Sequence, residues 1–166
     1  MKNNGEGKLF FRPYLIEFLD AISKYYEIIV FTAGIKEYAQ IVLNLIENIL
    51  GKKIFKFRLF REHISFSDKG CFVKDLSKIG RDLSKTLIVD NNEENFDLQK
   101  ENGILIHSYY GLEGNLNSDN NYDDNDKCLN ELKNILIKIA EEKPNDITLI
   151  LKKYYFDISK KVSLNL

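Results

Sequence analysis

The sequence predicts an α/β fold, a Rossmann-like three-layer domain built on a mainly parallel sheet. Three observations predict it. Short β-branched runs alternate with stretches whose apolar residues recur at helical spacing. Two of those runs end in polar residues of a kind that binds ligands. The 166 residues, 44% of them apolar and 30% charged, suit one globular domain with a real core, over residues 1–166.

The elements follow in chain order. "RPYLIEFLDAISKYY" reads as a helix, with Pro13 at its favourable first position and Leu15, Ile16, Phe18, Leu19 and Ile22 at helical spacing. "EIIVFTAG" reads as a fully buried strand. "IKEYAQIVLNLIENIL" is a second amphipathic helix that Gly51 stops. "FRLFREHISFSDKGCFVKDL" alternates around the turn residues Ser67 to Gly70, which predicts a hairpin-like excursion. "TLIVD" is a buried strand, "EENFDLQ" a short helix and "GILIH" a further strand. Residues 113–126 carry five acids, five Asn and no base, the composition of a solvated acidic loop. Leu129, Leu132, Ile135, Leu136 and Ile139 then line one helix face, and "NDITLILKKYY" gives a last helix capped by Asn145.

Charge and composition exclude several function classes. A formal net charge of −1 provides no basic field for nucleic acid. No run of about 18 apolar residues is present to span a membrane. "MKNNGEGK" has neither the apolar stretch of a signal peptide nor the Arg-rich face of a transit peptide. Cys71 and Cys128 match no metal spacing and read as free thiols. His63 and His107 have no second His at ligand spacing and read as polar strand-end residues, with Tyr109 and Tyr110 covering the sheet edge.

The two polar strand ends carry the chemistry. The first run ends at Thr32, whose hydroxyl and following amides lead into a helix N-terminus, an arrangement suited to phosphate. The other ends at Asp90 and Asn91, a carboxylate and an amide oxygen fit for magnesium that also touches a phosphate oxygen. Between them Lys74, in "FVKDL", is a compact cation able to neutralise phosphoryl charge.

"RPYLIEFLDAISKYYEIIVFTAG…YA" and "RLFREHISF…GCFVKDLSKIGRDLSKTLIVDN" resemble the NLI-interacting-factor-like phosphatases, which act on the C-terminal domain of RNA polymerase II and belong to the haloacid dehalogenase (HAD) superfamily. The resemblance runs from about Lys8 to Tyr155. It implies a HAD-like domain that removes phosphate from Ser or Thr of a phosphoprotein through an aspartyl-phosphate and magnesium. By motif position Thr32 would bind the phosphoryl oxygens and Lys74 would neutralise them. Asn91 would ligate magnesium directly, and Asp90 would steady its water shell. Tyr38 and Arg61 match positions that face the phosphopeptide.

The family's opening strand ends in Asp-x-Asp, whose first Asp is the nucleophile and whose second is the general acid. Eleven residues precede Arg12 here and none is Asp, while the pair Asp124/Asp126 follows no apolar strand. The resemblance therefore implies a sheet missing its first, central strand, a weakened or absent magnesium site, and no turnover of phosphoesters by the chain as it stands. Two readings follow. One is a phosphatase domain without its nucleophile strand, nuclear or cytoplasmic. The other is a non-catalytic relative that kept the fold as a protein-binding module, such as the mitochondrial inner-membrane import receptor. "FDLQKENGILI" and "LKNILIKIAEEKPNDITLILKKYYFD" resemble that branch.

Overall fold

The computed structural model describes residues 9–67, 70–111 and 126–163. Apolar spacing produces α1 (Leu15–Ile22), whose inner face of Phe18, Leu19 and Ile22 is buried. The helix starts later than its sequence predicts. Pro13 lies in a turn before it, and Tyr14 takes a left-handed conformation at φ 63°. The β-branched run follows as β1 (Ile28–Phe31), which is half-buried along its length rather than fully buried, then α2 (Lys36–Leu50), which Gly51 ends at φ 68°, where a side chain would be strained.

The next segment divides in two. Phe55–Leu59 is not an arm of the hairpin but β2, the parallel partner of β1, with Val30 beside Arg58 and Phe31 beside Leu59. Glu47 explains why the chain turns straight from α2 into β2. Its buried carboxylate accepts the amides of Ile54 (3.0 Å) and Phe55 (3.1 Å), and Arg58 at 2.5 Å and Lys53 at 2.8 Å balance its charge. The predicted hairpin is the shorter antiparallel pair β3 (Ser65–Phe66) and β4 (Phe72–Val73).

β5 (Ile88–Asp90) runs parallel to β6 (Gly103–Leu105), with Asp90 beside Leu105. Between them Glu93–Asn102 forms tight 3-10 turns kinked at Phe96 and Gln99, not a regular helix. Phe96 packs against Gly103, where a Cβ would come 2.1 Å from the ring, so the close strand-to-turn contact requires glycine. α3 (Cys128–Glu142) supplies the main core, with Leu132, Ile135, Leu136 and Ile139 against Phe18, Leu19 and Ile22 of α1. α4 (Ile147–Lys153) is capped by Asp146, whose carboxylate accepts the Thr148 amide at 2.8 Å, rather than by Asn145. α5 (Tyr155–Ile158) and the π-helical turn after it (Ser159–Ser163) close the described chain onto α3. Residues 113–125 of the predicted acidic loop lie outside the described residues, as does Asp124.

The mainly parallel character is present, but in two separate pairs. Among the described residues β1 pairs only with β2, and β5 only with β6. Between the pairs lies a cavity of about 580 Å³, lined among others by Ile29 and Phe31 of β1, Ile88 and Val89 of β5, and Leu19 and Leu76. The opposite face of β1 has its own hollow of about 200 Å³, which Val30 and Thr32 line with Ala39 and Leu43. Side chains of β1 thus border hollows on both of its faces. Glu27, just before β1, and Arg81, ahead of β5, meet at 2.7 Å and bridge the two halves.

Candidate functional site

The residues singled out from sequence collect into two groups at the carboxyl ends of the two parallel pairs. The first surrounds Thr32. Its amide extends the β1–β2 ladder by donating to the Leu59 carbonyl at 2.9 Å. Its hydroxyl accepts the Gly34 amide at 3.0 Å, which closes the loop leading into α2. Among the described residues no side chain caps α2, so its N-terminal amides are open to solvent or an anion. Arg61 braces the same loop, its Nε donating to the Ala33 carbonyl at 2.8 Å and its amide to Gly34. Tyr38, on the first turn of α2 and 57% exposed, lines the smaller hollow with Thr32.

The second group surrounds Asp90. Lys74, buried just after β4, places Nζ 2.5 Å from Asp90 Oδ2. Asp90 Oδ1 accepts the Asn92 amide and the Asn95 side-chain amide, each at 2.9 Å. Asn95 also holds Lys74 through its backbone, accepting the Lys74 amide at 2.6 Å. Asn91 is exposed, and its Nδ2 donates to Ser108 Oγ at 3.0 Å. Next to Lys74, Asp75 caps the following turn. Burial acts to raise its carboxyl, but hydrogen bonds from the Ser77 hydroxyl and amide and from Gln99 outweigh that and hold it below the usual carboxylate range.

Asn95 and Ser108 escaped the sequence reading. Their only signals were a side-chain amide five residues beyond Asp90 and a hydroxyl three residues beyond the end of β6. A third cluster was equally illegible. His107, Asp126 and Cys128 bring ligand-type atoms within 4.8 Å of one another. The guanidinium of Arg12 already serves them, donating to Asp126 at 2.9 Å and contacting His107 Nε2. Burial pushes the Cys128 thiol up to about 11, so it stays protonated and donates to the Val162 carbonyl. Arg12 here is a tie between α1, β6 and α3, and Asp126 is committed to it.

The Thr32 loop, the buried Lys74–Asp90 pair and the exposed Asn91 thus lie at the carboxyl ends of the two parallel pairs. Residues 1–148 match the family model of the NLI interacting factor-like phosphatase. The chain belongs to this family.

Similar proteins include the human carboxy-terminal domain RNA polymerase II polypeptide A small phosphatase 2. It is 41% identical over 99 residues, covering 60% of this chain and 35% of that protein. CTD small phosphatase-like protein 2 of Dictyostelium discoideum is 42% identical over 110 residues, covering 65% of this chain and 19% of that protein. The mitochondrial import inner membrane translocase subunit TIM50 of Kluyveromyces lactis is 34% identical over 143 residues, covering 86% of this chain and 27% of that protein. The chain thus spans 35% or less of the length of these relatives. The solved structure of Fcp1, an essential RNA polymerase II CTD phosphatase, superposes with a TM-score of 0.68 at 22% identity. It covers 87% of this chain and 54% of that one, so the HAD-like α/β fold is shared. No helix among the described residues is long and apolar enough to cross a membrane.

Proposed function

We propose that this chain carries the phosphate- and metal-handling part of a protein phosphoserine/phosphothreonine phosphatase whose nucleophilic carboxylate arrives on a strand seated between β1 and β5. One observation carries the reading: the Thr32 and Lys74–Asp90–Asn91 groups end two parallel pairs separated by an apolar slot. A strand parallel to both would bring its carboxyl end between the two groups, the usual ligand position in such sheets.

The donor set fits magnesium in part. Asn91 has an oxygen that takes no hydrogen bond among the described residues and would be the direct ligand. Both Asp90 oxygens are engaged, so Asp90 would act on the cation's water shell and through Lys74. Bound there, magnesium would withdraw charge from the phosphoryl oxygens. The chain's own residues do the rest: Thr32 and the α2 amides orient the phosphoryl group, Lys74 neutralises its charge, and Tyr38 and Arg61 meet the peptide beside it. The incoming carboxylate would bond to phosphorus as the seryl oxygen leaves and takes a proton from the second acid of the pair. Water would then release phosphate.

The test is to join a strand ending in Asp-x-Asp ahead of the chain and to measure magnesium-dependent phosphate release from phosphoserine peptides. Release that requires both the added carboxylates and Lys74 supports the reading. A folded, strand-filled chain that hydrolyses nothing sinks it.

A second reading has one observation in its favour. The match to the mitochondrial import translocase subunit covers 86% of the chain, against 60% for the human small phosphatase. On that reading the same fold binds a polypeptide without turnover, and the strand-filled chain would bind unphosphorylated peptides as well as phosphorylated ones.

A further inference from the structure

We propose that His63 is a positioning residue of the candidate site: its neutral imidazole fixes the turn that carries Arg61 across to the Thr32 loop. The inference rests on the phosphopeptide reading above and goes beyond it to a residue that the motifs leave unassigned. Arg61 is held on that loop by its own amide, which donates to the Gly34 carbonyl at 3.2 Å, and by Nε, which donates to the Ala33 carbonyl at 2.8 Å. Both bonds require the chain to reverse at once where β2 ends. Phe60, only 3% exposed, is packed there with Ala39 and Leu43 of α2, and Arg61–His63 then make a single 3-10 turn.

His63 closes that turn twice. Its amide donates to the Phe60 carbonyl at 2.9 Å, and its Nδ1 accepts the Phe60 amide at 3.0 Å. A backbone N–H can only donate, so Nδ1 is the bare ring nitrogen and the ring proton sits on Nε2. A protonated imidazole carries hydrogen on both nitrogens and cannot accept that amide. The residue is exposed, so solvent protons reach it. Arg61 and Glu62 flank it on the turn, and Lys78 donates to Ser65 Oγ two residues further on. β1 and α2 meet the neighbouring Phe60 through Val30, Ala39 and Leu43, none of which titrates. Acid should therefore free the Phe60 amide, loosen the turn and let Arg61 leave the loop, whereas the bond is kept at high pH.

The test measures binding of a phosphoserine peptide to the full, strand-filled chain, with Asn in place of both acids of the added strand so that the peptide is not consumed. At about pH 8, above the ordinary histidine value of about 6.5, His63→Ala should weaken binding about 2- to 30-fold. His63→Asn should match the unsubstituted chain there, because its Oδ1 lies as many bonds from the backbone as Nδ1 and does not titrate. As the pH falls to about 5.5, below that ordinary histidine value, binding by the unsubstituted chain relative to His63→Asn should drop by the factor that His63→Ala shows at high pH. The ratio cancels the titration of the phosphate itself. In an Arg61→Ala background neither the substitution nor the acid should change that ratio. Parallel pH profiles for the unsubstituted chain and His63→Asn, or an equal effect without Arg61, overturn the role of His63 while leaving the phosphopeptide site standing. A strand-filled chain that binds no phosphoserine peptide overturns the site reading and this inference with it.

Discussion

Lys74 Nζ lies 2.5 Å from Asp90 Oδ2, and this buried ion pair joins the end of the hairpin to the carboxyl end of β5. A buried pair tolerates the loss of both partners better than the loss of one, because a single survivor is an uncompensated charge. In the strand-filled chain Asp90→Leu alone should cost about 3–5 kcal/mol, whereas Lys74→Met with Asp90→Leu should cost less than either single change. Urea unfolding of the four proteins checks the cycle. Additive losses would mean that the pair is not coupled.

The missing carboxylates make a prediction about the chain as given. It should release no phosphate from a small aryl phosphate in magnesium above the blank rate. Magnesium-dependent release that Lys74→Ala abolishes would reveal a different nucleophile. Once an Asp-x-Asp strand is supplied, Lys74→Ala should lower the rate by about 10²-fold or more, the usual cost of removing one preorganised charge stabiliser.

The slot predicts behaviour in solution. The facing edges of β1 and β5 carry amides and carbonyls without a strand partner among the described residues. Each such group costs roughly 1–3 kcal/mol if buried unsatisfied, against a total stability of about 5–15 kcal/mol for a domain. The isolated chain should therefore be molten or aggregation-prone, and a strand in the slot should convert it to a cooperative monomer. Circular dichroism with size-exclusion chromatography decides the matter. A sharp monomer with cooperative melting of the chain alone would show that the two halves close on each other, which favours the non-catalytic reading.

Glu47 should shape the acid limb of stability. Burial acts to raise its carboxyl, but hydrogen bonds from Lys53 and the Phe55 and Ile54 amides, together with the Arg58 charge, outweigh it and hold it below the ordinary Glu value. A group lowered on folding contributes stability that is fully present above its unfolded pKa and lost as pH falls through the folded one. The loss should thus set in below about pH 4.3, the ordinary Glu value. Glu47→Gln should flatten that limb and cost about 1.5–3 kcal/mol at neutral pH through its charged hydrogen bonds. Stability–pH profiles of the two strand-filled proteins that coincide below pH 5 would refute this.

Much of the fold was legible from sequence because helices, strands and their stops are local. Apolar spacing placed α1, α2 and α3, the β-branched runs placed β1 and β5, and Gly51 marked a helix end. The family was legible for a related reason: its motifs are short and their spacing survives without the fold, and those motifs supply the candidate residues Thr32, Tyr38, Arg61, Lys74, Asp90 and Asn91. What escaped was set by partners distant along the chain. Phe55–Leu59 reads locally as half of a hairpin, and only pairing with β1 makes it a parallel strand. Asn95 and Ser108 look like ordinary turn residues until the β5–β6 register brings one to Asp90 and the other to Asn91. Arg12 meets Asp126 across 114 residues, a contact that no local pattern encodes. The sequence by itself thus determined most of the elements and the family, and supplied the candidate site residues. The tertiary structure decided which of them touch and that β1 and β5 stand apart, because strand pairing and buried ion pairs depend on the whole packed chain.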